Sequence, residues 1–234
     1  MSSLVQYENA IRRVAVFHNA TEADVQAIAR LGIPRAVEEG GYFFYQGDKA
    51  DYLYVLLSGR AKLSTISQDG QVVNLRTLIP NQLFGAVGAV DVQAVYPACA
   101  QTLEDSVALA IESATFARLL TERPHLSFGL MKLMTGYIQE MQDRYRELAT
   151  ERVEQRIARA LLRLAAQSGR KLEQTGIDLE FSRQDLAEMT GTTLYTVSRF
   201  LSQWEKKGLI STGRERVTIL DPHGLVRIAD DLVR

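Results

Sequence analysis

The stretch that leaves this chain the fewest options is residues 182–210, SRQDLAEMTGTTLYTVSRFLSQWEKKGLI. Ser182, followed three residues later by Asp185, forms a capping box that starts a short helix. Leu186, Ala187 and Met189 give that helix a small apolar face. Thr190-Gly191-Thr192 then makes a tight turn in which glycine accepts a left-handed backbone. A second helix is predicted over 192–207, stopped by Gly208. Val197, Leu201 and Trp204, at i, i+4 and i+7, form its buried stripe. The opposite face leaves Leu194, Tyr195, Ser198 and Arg199 exposed near the N-terminal end, where a recognition helix presents base-reading side chains to the major groove. Arg199 suits the O6 and N7 of guanine. Ser198, Thr193 and Arg183 suit phosphate or base contacts, and Lys206, Lys207, Arg214 and Arg216 suit charge neutralisation along the backbone. Helical hairpins that never touch DNA share this geometry. The following segment, STGRERVTILD, reads as a two-stranded wing and favours double-stranded DNA as partner.

Charge permits such a partner. The net charge of −1 averages over an uneven chain. From Glu151 onward there are 14 Lys and Arg against 12 Asp and Glu; before it, 13 against 16. No apolar run approaches bilayer length, and the opening MSSLVQYENAIRR lacks the hydrophobic block of a signal peptide. Cys99 is the single cysteine, which excludes an intrachain disulfide and a thiolate-held cluster. The expectation is a cytoplasmic protein with no membrane partner. No nucleophile elbow, phosphate-binding loop with lysine or His/Glu metal spacing is present, so an enzyme is not expected.

Upstream, the texture changes. TEADVQAIARLG reads as a helix, with Thr21 and Asp24 at its start and Gly32 at its stop. From Pro34 to Ile111 come short apolar and β-branched runs: GYFFYQG, DYLYVLLSG, AKLSTIS, VVNLRTLI and SVALAI. Turn residues separate them, as in an antiparallel sandwich or barrel. A long helix then begins near Pro124. Leu130, Met134, Tyr137, Met141, Arg144 and Leu148 recur at steps of four and three, a coiled-coil seam and candidate dimer interface. Leu133, Ile138 and Tyr145 form a second stripe that could pack on the sheets. VEQRIARALLRLAAQSG follows as an amphipathic helix ended by Gly169.

Strand-rich domain, long helix and winged helix-turn-helix, in that order, resemble the Crp/Fnr transcription regulators. The resemblance rests on GYFFYQGDKADYLYVLLSG, LIPNQLFG, LATERVEQRIARALLRLA and the helix-turn-helix itself. It implies an α+β fold: a jelly-roll-like β-roll of the cyclic-nucleotide-binding type with short N-terminal helices over residues 1–124, a dimerisation helix over 125–150, and a winged helix-turn-helix DNA-binding domain over 151–234. It also implies a homodimer, a twofold-symmetric operator and contact with RNA polymerase. The recognition helix is most similar to that of the regulators of nitrite and nitric oxide reductase genes.

The same resemblance shows what is missing. Members that bind cyclic AMP begin their cassette Gly-Glu, the Glu holding the ribose, and end it Arg-Ser-Ala, where Arg and Ser hold the cyclic phosphate. Here, in LFGAVGAVDVQAVYPACA, Gly85 is kept, Ala86 stands for the Glu, and Tyr96, Pro97 and Ala98 stand for Arg-Ser-Ala. Met141 and Gln142 replace the Thr-Ser pair that touches adenine. A cyclic phosphate would lose its charge-assisted bonds, so control by cyclic AMP is not expected. On the recognition helix Tyr195 replaces the usual Glu, which predicts a half-site related to TTGAT or TGTGA but not identical with either.

The cysteines of the oxygen-sensing iron–sulfur members are absent. Haem, used by some relatives to sense nitric oxide, would have His18, His125, Cys99 or a methionine as ligand, and none of these stands at a family ligand position. The expectation is no cofactor and an unknown small-molecule effector, with a haem-dependent gas sensor, an effector-independent regulator and a protein-docking module as alternatives.

Overall fold

Period-two alternation decides how the first half is built. The computed structural model describes residues 3–67, 72–172 and 176–231, and the chain divides into two compact units, Met1–Glu140 and Met141–Arg234. The first opens with α1 (Ser3–Arg13) and α2 (Glu22–Leu31), then β1 (Ile33–Val37), β2 (Tyr42–Phe44), β3 (Tyr52–Ser58), β4 (Ala61–Ile66), β5 (Val72–Leu78), β6 (Leu83–Phe84), β7 (Cys99–Thr102) and β8 (Ser106–Glu112). Helix α3 (Ser113–Glu122) and the long α4 (His125–Thr150) follow. The strands form two antiparallel four-stranded sheets, ordered β1-β8-β3-β6 and β2-β7-β4-β5.

Strands β3 and β8 are buried on both faces, which is why their sequences run almost continuously apolar. Leu53 and Val55 of β3, with Leu109 and Ile111 of β8, point into a core shared with Ile11, Ile28, Phe116, Leu126 and Leu130 of the helices. Their alternates, Tyr54, Leu56, Ala108 and Ala110, point between the sheets to meet Phe43, Phe44, Phe84 and Tyr96. Burying a Leu or Val side chain contributes about 1.5–3 kcal/mol, so both cores carry substantial stability. Helix α1 is one of the short N-terminal helices expected ahead of the roll, for which no bounds were read. Its signal is Leu4, Tyr7 and Ile11 at helical spacing, all packed in the first core.

The second unit contains α5 (Val153–Ser168), β9 (Arg170–Leu172), β10 (Gly176–Glu180), α6 (Arg183–Thr190), α7 (Leu194–Lys206), β11 (Ile210–Gly213), β12 (Arg216–Ile219) and α8 (Pro222–Ala229). The expected two-stranded wing belongs to a four-stranded antiparallel sheet, β11-β12-β10-β9. Ile177 of β10 opposes Ile219 of β12, which itself opposes Ile210 of β11. Trp204, fully buried, sits in the core with Ile157, Leu161, Leu186, Val197 and Leu201. Its indole Nε1 donates to Glu154 Oε1 at 3.2 Å, which satisfies the one polar atom the burial would otherwise strand.

Helix α4 carries two stripes instead of one seam. Leu126, Leu130, Leu133, Tyr137, Glu140, Arg144 and Glu147 are buried or half-buried, at alternating steps of four and three. One residue further on, Met131, Met134, Ile138, Met141, Tyr145 and Leu148 repeat at three and four and are all 49–76% exposed. The predicted seam mixed the two. Leu130 is in the chain's own core, and the Tyr137 hydroxyl donates to the Leu83 carbonyl at 3.3 Å. Arg144 is half-buried, while Met134, Met141 and Leu148 lie on the outer stripe. The second predicted stripe also divides: Leu133 packs inward, but Ile138 and Tyr145 are exposed. Steps of three and four turn by almost whole helical turns, so a stripe and its neighbour one residue away have the same period.

Candidate DNA-binding surface and effector-type cassette

Helices α6 and α7 are each capped at the N-terminus by a hydroxyl side chain. Ser182 caps α6: its Oγ accepts from Asp185 N at 3.0 Å, and Asp185 Oδ2 accepts from Ser182 N at 3.3 Å. Gly191 ends the helix in the left-handed region, with φ +59. Thr193 then caps α7 by accepting from Thr196 N at 3.2 Å. The helix therefore begins at Leu194, just after the expected start at Thr192 or Thr193, because those two residues serve the turn and cap. Val197, Leu201 and Trp204 are fully buried, which fixes the rotation of α7 and sends the opposite side to solvent.

On that side Tyr195 is 77% exposed and Arg199 is exposed beside it, its guanidinium 5.0 Å from the Phe200 ring centre. Ser198 is half-buried and lies 3.4 Å from Arg183 Nη1, a contact that ties α6 to α7. Thr193, Lys206, Lys207 and Arg214 are exposed, Arg214 in the turn between β11 and β12. Arg216 differs from expectation. It pairs with Asp178 and Glu180, each at 3.4 Å, so its charge is already answered inside the sheet. Glu205 accepts from the Thr212 backbone at 2.7 Å and from its hydroxyl at 2.9 Å. Those bonds draw its carboxyl below the ordinary glutamate range and join the end of α7 to the wing.

In the roll, Gly85 stands where the chain turns from β6 into a short 3-10 turn, Ala86–Ala89, with φ +72. A Cβ there would meet Phe44, Tyr96 and Tyr54 at 3.1–3.3 Å, so glycine is required by both conformation and space. Tyr96 is buried, and its ring stacks on Phe44 with centroids 3.7 Å apart and planes 12° from parallel. Phe43, Tyr54 and Phe84 continue the cluster, with Tyr54 to Phe84 at 5.2 Å and Phe43 to Phe84 at 5.4 Å. The Tyr96 hydroxyl donates to the Tyr52 carbonyl and accepts from Tyr52 N. Arg35 Nη1 donates to the Tyr54 hydroxyl at 3.0 Å. Burial raises both phenols above the ordinary tyrosine range. Ala61, Ala100, Ala108 and Ala110 supply the small residues against which five rings fit. Pro97 is exposed and Ala98 buried; Ala86 packs toward the helix-side core. Met141 and Gln142 are exposed on α4. The aromatic cluster was not foreseen, since nothing in its spacing marks rings from different strands as neighbours.

The candidate haem ligands do not fit that group. His125 Nε2 lies 2.8 Å from Asp24 Oδ2, His18 is exposed at the end of a one-turn helix, and the buried Cys99 Sγ accepts from Gln46 N at 3.3 Å. Among the described residues no three His, Cys, Asp or Glu side chains gather as a metal cluster, and no helix is long and apolar enough to cross a membrane.

Comparison with known proteins agrees with this geometry. Residues 34–123 match the cyclic nucleotide-binding domain and residues 155–228 the Crp-like helix-turn-helix domain. The transcriptional activator protein Anr of Pseudomonas aeruginosa is 30% identical over 196 residues, covering 83% of this chain and 80% of that protein. The cyclic AMP receptor protein of Thermus thermophilus is 28% identical over 214 residues, covering 92% and 96%. Among solved structures, a CRP-family transcriptional regulator from Thermus thermophilus superposes with a TM-score of 0.70 at 26% identity, covering 84% of this chain and 96% of that one. FixK2 from Bradyrhizobium japonicum superposes at 0.74 with 17% identity over 84% and 96%.

Proposed function

The chain belongs to the Crp/Fnr family of transcription regulators, and from that premise we propose that it acts as a homodimer that binds a twofold-symmetric DNA site and is not controlled by cyclic AMP. The observation that carries the reading is the outward face of α7. Tyr195 and Arg199 stand exposed on one side while Val197, Leu201 and Trp204 are locked beneath. Arg199 reads a guanine, Tyr195 replaces a carboxylate reader, and Arg183 and Ser198 fix the phosphate register between the helices. Thr193, Lys206, Lys207 and Arg214 add charge or hydrogen bonds along the backbone.

The outer stripe of α4 supports the dimer. Six apolar side chains at heptad spacing, from Met131 to Leu148, face solvent in the single chain, and a second copy of the helix covers such a stripe. In functional terms residues 1–124 form the effector-type roll, 125–150 the dimer helix and 151–234 the reader.

A relative bears the name cyclic AMP receptor protein, but the residues here oppose that ligand. Tyr96 occupies the cassette with its ring against Phe44, and neither Ala86 nor Pro97 can bond a ribose or a phosphate. Titration calorimetry with cyclic AMP and cyclic GMP tests this, and saturable micromolar binding overturns it. Fluorescence anisotropy on DNA from an unbiased site selection tests the reader. Binding that falls steeply with salt and resolves to an inverted repeat is the expected result; salt-insensitive binding without a preferred site refutes it.

A further inference from the structure

The outward face of α7 is short of one chemistry. Residues 192–200, TTLYTVSRF, contain no Asp or Glu, so the end of the helix that enters a major groove has no carboxylate to accept from a cytosine amino group. Its hydroxyls are largely committed. Thr193 Oγ1 accepts from Thr196 N at 3.2 Å and lies 3.0 Å from Thr196 Oγ1, while Ser198 lies 3.4 Å from Arg183 Nη1. Two side chains here are apolar instead. Leu194 is 47% exposed, and Tyr195, at 77%, is the most exposed large apolar side chain among the described residues. Among those residues no ring stacks on Tyr195 and none bonds its hydroxyl. Val197, Leu201 and Trp204, all fully buried, hold the helix against rotation, so the ring cannot turn inward and its area stays uncovered in the single chain. Arg199, four residues on, and Arg183 place positive charge on the same surface, which suits a polyanion as the cover rather than an apolar protein face.

What DNA offers an apolar side chain in its major groove is the C5-methyl group of a pyrimidine. We propose that Tyr195 reads that methyl group. The preferred site then carries thymine under the ring, and 5-methylcytosine binds there better than unmethylated cytosine, so the protein distinguishes methylated from unmethylated DNA at that position. Leu194, next in the chain, extends the apolar ledge on which the methyl rests. Covering one methyl is worth about a factor of four in affinity, the scale of one buried methyl group, and a homodimer on an inverted repeat covers two. The inference deepens the proposed function and rests on it, since α7 must enter the major groove of a twofold-symmetric site.

The test is fluorescence anisotropy with the full chain on the inverted repeat found by unbiased selection. Each thymine is replaced in turn, in both half-sites, by deoxyuridine, which removes the methyl alone and keeps the base pair. The thymine that responds is then exchanged for cytosine or 5-methylcytosine opposite guanine. The parent, Tyr195→Phe and Tyr195→Ala are compared, and thermal unfolding of each is recorded without DNA. The expected result is one thymine per half-site at which deoxyuridine weakens the parent about tenfold, two methyls being lost together. At that position 5-methylcytosine should bind the parent about tenfold more tightly than cytosine. Tyr195→Phe keeps both ratios, since the ring covers the methyl. Tyr195→Ala, with unfolding unchanged, binds the two members of each pair equally; lower salt brings all three chains into a measurable range. Equal parent affinity for thymine and deoxyuridine at every position, no gain from the methyl on cytosine, or ratios that survive in Tyr195→Ala overturn the inference. A parent that selects no preferred site overturns instead the function on which it rests.

Discussion

Tyr96 lies flat on Phe44, 3.7 Å between ring centres, at the position that the family resemblance pairs with the arginine of the cyclic-AMP cassette. On that pairing a buried ring stands where the cassette expects a cation. Truncating it should leave a cavity lined by Phe44, Tyr54 and Gly85. Tyr96→Ala is expected to cost about 3 kcal/mol or more of unfolding free energy, in the range for buried aromatic truncations, as measured by urea denaturation. Tyr96→Phe, which loses the hydroxyl's bonds to Tyr52 and to Tyr54, should cost about 1 kcal/mol.

The same residue sets a limit at alkaline pH. Burial raises the Tyr96 phenol above the ordinary tyrosine range, so the folded state favours the neutral form more than the unfolded chain does. That contribution is complete below about pH 10, the unfolded value, and is lost as pH rises beyond it. Urea midpoints for the parent should fall above pH 10 more steeply than those of Tyr96→Phe.

At the acid end the controlling group is Asp24. Burial pushes its carboxyl up, but hydrogen bonds from Thr21, Arg123 and His125 outweigh this and hold it well below the usual range. It caps α2 through Thr21 and receives Arg123 and His125 from the segment that opens α4. A depressed carboxyl contributes stability that is present above about pH 4 and lost as pH falls below it. Asp24→Ala should cost about 2–4 kcal/mol at pH 7, through the lost cap and the stranded Arg123. It should also flatten the decline of stability below pH 4.

On the reader, Arg199→Ala should weaken binding to the selected site by about 1–3 kcal/mol and relax the preference at one base position. Arg214→Ala should weaken binding evenly across sequences and lower the salt slope by about 1. Anisotropy titrations on the selected site and on single-base variants separate the two. Equal effects on every sequence for Arg199→Ala would remove it from base reading.

The two stripes of α4 predict opposite phenotypes. Met141→Asp or Ile138→Lys should yield folded monomers in sedimentation velocity, with little change in the urea midpoint. Leu130→Ala should lower stability by about 2–5 kcal/mol, as for other buried leucines, and leave the oligomeric state of the folded fraction intact.

Local chemistry was readable in advance wherever one short segment contains the whole cause. The Ser182–Asp185 box, the Thr21–Asp24 box and the Gly191 turn all appear as expected from their spacing. The roll was readable from alternating strands and their turn residues. What escaped depends on neighbours distant in sequence. Phe44, Tyr54, Phe84 and Tyr96 come together only when two sheets close. Arg216 meets Asp178 only because β12 joins β10, a pairing invisible in RKLEQTGIDLE. On α4 the period was right and the phase was wrong, since Leu130 and Met131 are equally apolar and only the packed roll tells them apart.

That one-residue phase has a consequence for length. Each residue turns a helix by about 100°. Deleting Lys132 would therefore bring Met134, Ile138, Met141, Tyr145 and Leu148 round to the positions of Leu133, Tyr137, Glu140, Arg144 and Glu147. The outward row would become Thr135, Gln139, Gln142, Arg146 and Ala149. Such a chain would lose the apolar row that the proposed dimer offers to its partner and strand Arg163, the partner of Glu147, so on this helix the number of residues matters to the proposed dimer as much as their kind.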